Sequence, residues 1–94
     1  SGPEQMEKSI YTPKQLAFAK LLRETRKAAG LTQTELAEKL RTTQSIVSKW
    51  ERGELRLDFV QVHGVCEVLG TTLSAFAVEF ERRLRTKGGK RSIR

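Results

Sequence analysis

Residues 33–52 read QTELAEKLRTTQSIVSKWER, and the fold turns on how this stretch divides. Thr32, just before it, offers a hydroxyl N-cap, and Glu35 three residues on completes a T-x-x-E capping box. Leu36, Ala37 and Leu40 then carry a short helix. Arg41-Thr42-Thr43 reads as a tight turn, Thr43 caps the next helix over residues 44–52, and Gly53 ends it. Three residues are too few for the two helices to lie antiparallel, so they must cross steeply, with the small Ala37 at the crossing. Leu36, Leu40, Val47 and Trp50 point inward. Gln44, Ser45, Ile46, Ser48, Lys49 and Arg52 remain outward on the second helix, a face of amide, hydroxyl and cation without a carboxylate. A helix of this width fits the major groove of duplex DNA, where Gln and Lys read base edges.

Working outward, the same signals recur. Thr12-Pro13 opens a first helix, with Pro at the first helical position, and Gly30 closes it. Asp58 caps a fourth helix over residues 59–69, closed by Gly70. Thr72 or Leu73 opens a fifth, whose Phe76, Phe80 and Leu84 recur at helical spacing and which Gly88-Gly89 should end. No alternating segment bounded by turn residues suggests a strand. The prediction is an all-α fold, a compact five-helix bundle with short connections. Its expected core is Leu22, Leu31, Leu36, Ala37, Leu40, Val47, Trp50, Val62, Val65, Cys66, Leu69 and Phe76. Each such side chain contributes about 1.5–3 kcal/mol on burial, before the entropy of ordering it.

Length and composition bound the rest. Ninety-four residues make one domain. We divide the chain into an arm over residues 1–11, in which Ser1-Gly2-Pro3 resembles the remnant of a cleaved tag, a domain over residues 12–81, and a basic tail over residues 82–94. The formal charge is +7, but residues 82–94 hold seven basic groups and no acid, leaving 11 of each sign elsewhere. The high isoelectric point therefore describes the tail. No apolar run is long enough for a membrane span, and the single cysteine makes no internal disulfide, so a cytoplasmic, nucleoid-associated protein is expected.

The segment is similar to the helix-turn-helix of the Cro and phage-repressor (XRE) family of bacterial DNA-binding proteins. The resemblance rests on Leu31-Thr32-Gln33-Thr34-Glu35-Leu36-Ala37, on Val47-Ser48-Lys49-Trp50-Glu51-Arg52-Gly53, and on Val65-Cys66-Glu67-Val68-Leu69-Gly70, in order and suitably spaced over about residues 16–77. It implies a fold of the lambda-repressor-like DNA-binding type and a regulator, expected to be a repressor, that binds double-stranded DNA as a homodimer on a palindromic operator. Gln44, Ser45 and Lys49 match positions that meet base edges, with Ile46 and Ser48 as further candidates; Ile46 either touches a thymine methyl group or is a partly covered surface residue. Gln33, Thr43 and Arg52 match phosphate contacts, and Arg41 and Arg56 join them as candidates. Arg26 and Glu51 match a structural salt bridge that orients the recognition helix. There are departures: Arg41 stands at a turn position where the family has glycine, at about 1 kcal/mol for a left-handed backbone; Thr25 replaces an aliphatic residue; and Gly64 sits inside the fourth helix. Ile10-Tyr11-Thr12-Pro13-Lys14-Gln15-Leu16-Ala17 also resembles the opening of HipB-like antitoxins, which implies a toxin protein as a partner.

Other functions find less in the sequence. His63 and Cys66 are three apart on one helix, but a structural zinc needs four ligands and no other His or Cys exists. No nucleophile–base pair or phosphate loop can be assembled, so neither an enzyme nor a cofactor is expected. The competing reading is a protein-interaction module that kept the fold. Phe76, Val78, Phe80 and Leu84 favour it, since late in the fifth helix they have little left to pack on; the same stripe suits a homodimer seam.

Overall fold

A computed structural model describes the backbone of residues 12–92 and side chains as far as Thr86. The expected arm over residues 1–11, with the tag remnant and Ile10-Tyr11, lies outside the described residues, as do the side chains of the last basic residues. Five helices follow in order: α1 Pro13–Ala28, α2 Gln33–Leu40, α3 Gln44–Glu51, α4 Phe59–Leu69 and α5 Leu73–Ser92. No strand occurs among the described residues.

The caps read from the sequence are made. The Thr12 hydroxyl accepts from the Gln15 amide at 3.1 Å and Pro13 opens α1. Thr32 and Glu35 form the reciprocal box, at 3.0 and 2.9 Å. Thr43 accepts from the Ile46 amide at 3.2 Å. Asp58 caps α4 and gains a partner the sequence reading passed over, since the Gln61 side chain returns to the Asp58 amide at 2.8 Å. Each cap satisfies amide groups that a helix start leaves without carbonyl partners. One terminus differs from expectation. Gly88-Gly89 does not end α5, which continues to Ser92. Unlike proline, glycine keeps its amide donor, so it weakens a helix without forbidding it.

Packing places α3 between α1 and α2, lays α5 along α1, and closes the base with α4, which meets both α2 and α5. Leu22, Leu36, Val47, Val65 and Cys66 are wholly enclosed. Leu31, Leu40 and Val62, expected in the core, are half-buried at its edge, while Ala19 and Leu21 are buried instead. The face of α1 that turns inward runs through Phe18, Leu21 and Leu22; Leu16 lies off it and stays 45% exposed. Leu16 nevertheless meets the turn after α3: a Cβ at Gly53 would lie 3.0 Å from its Cδ2. With φ at +78°, Gly53 is held to glycine by both conformation and space. Thr25, the departure on α1, turns its hydroxyl back to the Leu21 carbonyl at 2.7 Å, so the half-buried site carries no unmet polar group.

The late part of α5 does find packing within the chain, contrary to the sequence expectation. Phe18 meets Phe76 and Phe80 edge-on, with ring centres 5.8 and 6.2 Å apart. Phe76 is buried and Phe80 and Leu84 half-buried, which leaves only Val78 of that stripe well exposed. Arg83 reaches across to Glu24 of α1 at 2.5 Å.

Candidate nucleic-acid interface

The turn between α2 and α3 works as the spacing requires. Arg41 takes the left-handed conformation (φ 63°, ψ 41°), and the Arg41 and Thr42 amides donate back to the carbonyls of Glu38 and Ala37 at 3.1 and 2.9 Å. Leu36 and Ala37 are buried where α2 meets Val47 and Trp50 of α3. The left-handed strain of a non-glycine residue is thus held in place by packing on both sides.

A chain of hydrogen bonds then fixes how α3 is presented. Arg26 Nε and Nη2 donate to the two oxygens of Glu51 at 2.7 and 2.9 Å, and Arg26 Nη1 donates to the Leu31 carbonyl at 2.8 Å. The pair is enclosed, with side chains only 8% and 2% exposed. The hydrogen bond to Glu51 holds the guanidinium above its ordinary pKa, against the opposing effect of burial. Glu51 also accepts from Gln33 Nε2 at 2.9 Å, and Gln33 Oε1 accepts from Gln44 Nε2 at 2.7 Å. The expected salt bridge therefore extends, through two glutamines, to the first residue of the recognition helix. That extension was missed in the sequence; its signal was a glutamine opening each of two crossing helices.

Of the base-edge candidates, Gln44, Ser45 and Lys49 lie exposed on one side of α3. Ser48 is half-buried and its hydroxyl receives Arg52 Nη1. Of its two readings, Ile46 takes the partly covered one. It is half-buried against the core, beside a groove of about 450 Å³ that Leu40, Trp50, Leu55 and Gly64 also line. Apart from its own helix, no atom stands within 4 Å of where a Gly64 Cβ would be, so a small side chain would meet open space there.

Among the phosphate candidates, Thr43 and Arg41 are exposed at the two ends of the turn. Gln33 opens α2 with its side-chain amide already engaged on both atoms. Its backbone amide belongs to the positive end of that helix, which favours an anion. Arg52 is partnered more closely than expected: Nε and Nη2 grip Glu54 at 2.9 and 3.0 Å. The Arg52 hydrogen bond, then the Arg52 charge and last that of Lys49, hold the Glu54 carboxyl below the usual carboxylate range. A phosphate reaching Arg52 must therefore compete with Glu54. Arg56 is exposed in the connection after α3. His63 and Cys66 do not share a site: Cys66 is enclosed in the core, where burial raises its thiol pKa, while His63 is exposed beside Glu67.

A polar edge on one short, rigidly seated helix, flanked by helix starts and cations, defines a helix-turn-helix DNA-binding domain. The helix-turn-helix family model matches residues 22–76, and the chain belongs to this family of DNA-binding transcriptional regulators. Among solved structures it is 41% identical to an XRE-family like protein from Pseudomonas syringae pv. tomato str. DC3000, over 81% of this chain and 93% of that one, with a TM-score of 0.71. It is 28% identical to the clp gene regulator ClgR from C. glutamicum, over 74% of this chain and 90% of that one, at a TM-score of 0.68. It also resembles part of a longer chain, apo-HppE, with 33% identity over 66% of this chain and 35% of that one, at a TM-score of 0.61. Comparison with curated proteins gives no match. Among the described residues, no helix is long and apolar enough to cross a membrane.

Proposed function

We propose that this regulator is a repressor that binds a palindromic operator as a homodimer, with α3 in the major groove and polymerase excluded by occlusion. The observation that carries the reading is the exposed Gln44–Ser45–Lys49 edge seated on the buried Arg26–Glu51 pair. Gln44 suits adenine and Lys49 suits guanine O6 or N7, while Thr43, Arg41 and Arg56 supply backbone contacts. A single short helix reads only a few base pairs, so specificity calls for two copies, with recognition helices about 34 Å apart. Support for a gene-control role comes from the similarity to the clp gene regulator ClgR.

The test is selection of bound sequences from a random duplex pool, followed by affinity measurements on the selected site. A palindrome with half-sites one helical turn apart is expected, with log affinity falling linearly as log salt rises. Lys49→Ala should weaken binding by about 1–3 kcal/mol and relax base preference at one position of each half-site. Transcription from a promoter overlapping the selected site should fall as protein is added. Binding without salt dependence or base preference would instead favour an interaction module.

We place the dimer seam off the α5 stripe, since Phe76 and Phe80 pack on Phe18. Among the described residues, the most exposed large apolar side chains are Phe59 and Val60, at 72% and 77%, where α4 begins just beyond the recognition helix. Apolar surface so placed gains by meeting its own copy. Phe59→Glu should leave the melting temperature unchanged, shift the sedimenting species toward monomer, and weaken operator binding at least tenfold. An unchanged oligomeric state would place the seam off this surface.

A further inference from the structure

α4 is apolar nearly all round. Its eleven residues carry one charged side chain, Glu67, where the sixteen of α1 carry six. Val65, Cys66 and Leu69 turn into the core, yet Val60 stands 77% exposed about 180° around the axis from Leu69. A helix without a polar face is one that is covered on all sides. Among the described residues, nothing covers this outer face.

Gly64 stands four residues on from Val60, on the same face of α4. Its φ is not positive, so no left-handed turn requires glycine there. Apart from its own helix, a Cβ at Gly64 would meet no atom within 4 Å. Glycine weakens a helix interior relative to alanine, and neither conformation nor packing within the chain accounts for it here. The remaining use of a glycine is close approach by something outside the chain. Gly64 also sits on the wall of the 450 Å³ groove that Trp50 and Leu55 share. One stripe of α4 thus carries a projecting apolar side chain and, one turn later, a gap.

Two-fold symmetry makes that pattern complementary to itself, because in such a contact residue i meets residue j of the other copy and j meets i. Val60 and Gly64 lie about 6 Å apart along the helix. Two antiparallel copies of α4 that cross on an axis level with Val62 therefore bring each Val60 against the other copy's Gly64. We propose that the homodimer contact is this α4–α4 packing, with Val60 of each copy seated on Gly64 of the other at the edge of the groove. The inference rests on the homodimer reading above and names the residues that make the contact.

The test mixes isotope-labelled and unlabelled full-length chain and records filtered proton–proton proximity signals between copies. Signals from the Val60 methyl groups of one copy to the Gly64 α-protons of the other are expected. Gly64→Leu should raise the dimer dissociation constant at least tenfold in sedimentation, while the melting temperature of the dilute chain does not fall. The proximity signals are read on the unaltered chain, so they decide the matter even where Gly64→Leu does not fold. A dimer without those signals, or a folded Gly64→Leu chain that dimerises as tightly as the original, would overturn this contact and leave the dimer standing. Signals at Gly64 from any other segment, of its own chain or the other copy, would give the gap to that occupant instead. A chain that sediments as a monomer both alone and on the selected duplex would overturn the homodimer reading together with this contact.

Discussion

Two residues apart on α1, Glu24 and Arg26 lie about 200° from one another around the helix axis and anchor opposite kinds of ion pair. Arg26 turns inward and meets Glu51 at the end of α3 with both partners enclosed. Glu24 turns outward and meets Arg83 of α5, which also binds Glu79, with every partner partly in water. The chemistry is the same and the burial is not. In the enclosed pair the charges have given up their water, so each depends on the other. In the exposed cluster water and salt replace whatever is lost. The enclosed pair is also the one wired through Gln33 to Gln44. The function-bearing helix is thus held by the bond that cannot be given up cheaply, and the basic helix by bonds that can.

The sharpest way to break this comparison is to remove one partner from each cluster. Arg26→Ala should cost about 3–5 kcal/mol in urea denaturation, since it leaves the Glu51 charge buried alone. Arg83→Ala should cost less than about 1 kcal/mol. Equal losses would mean that burial does not separate the two. The double variant Arg26→Met, Glu51→Leu sharpens the point. Hydrophobic replacement should return most of the stability, yet DNA affinity should stay low, because Gln33 has lost the acceptor that positions it under Gln44.

Much of the enclosed half was legible in the sequence and less of the exposed half. Capping residues, the inward Leu36 and Val47, and the Arg26–Glu51 pair all follow from local spacing or from the family resemblance, and local rules act within a few residues. Phe80 was misread because it was judged by its own helix, while its cover comes from another, Phe18 of α1. The same holds for Arg52, whose partner Glu54 lies past the helix end, and for Gln33, whose two partners sit 11 and 18 residues on. The resemblance to part of HppE, also solved with FeII and substrate, adds that the fold alone does not fix the chemistry. The exposed edge of α3 carries that argument here.

A smaller effect separates the turn from the packing around it. Arg41→Gly should stabilise the domain by up to about 1 kcal/mol, because glycine adopts the left-handed conformation without Cβ strain, offset in part by its freer unfolded chain. If Arg41 also meets a phosphate, operator affinity should fall at the same time and the salt slope should shrink by about one unit. Greater stability with unchanged affinity would assign Arg41 to the turn alone.

The smallest effect is local to the exposed cluster and is reached with acid. Hydrogen bonds from Arg82 and then Arg83 hold the Glu79 carboxyl down at about 2, against an ordinary value of 4.5, and Arg83 likewise lowers Glu24. A carboxyl whose folded pKa is depressed contributes stability that is complete above its unfolded value and disappears as pH falls through the folded one. The window is therefore from about 4.5 down to about 2. Within it, carbon-detected titration should give Glu79 a midpoint near 2, and the amides of α5 around residues 79–84 should move with it. A Glu79 midpoint near 4.5 would mean that the cluster is not held together in water.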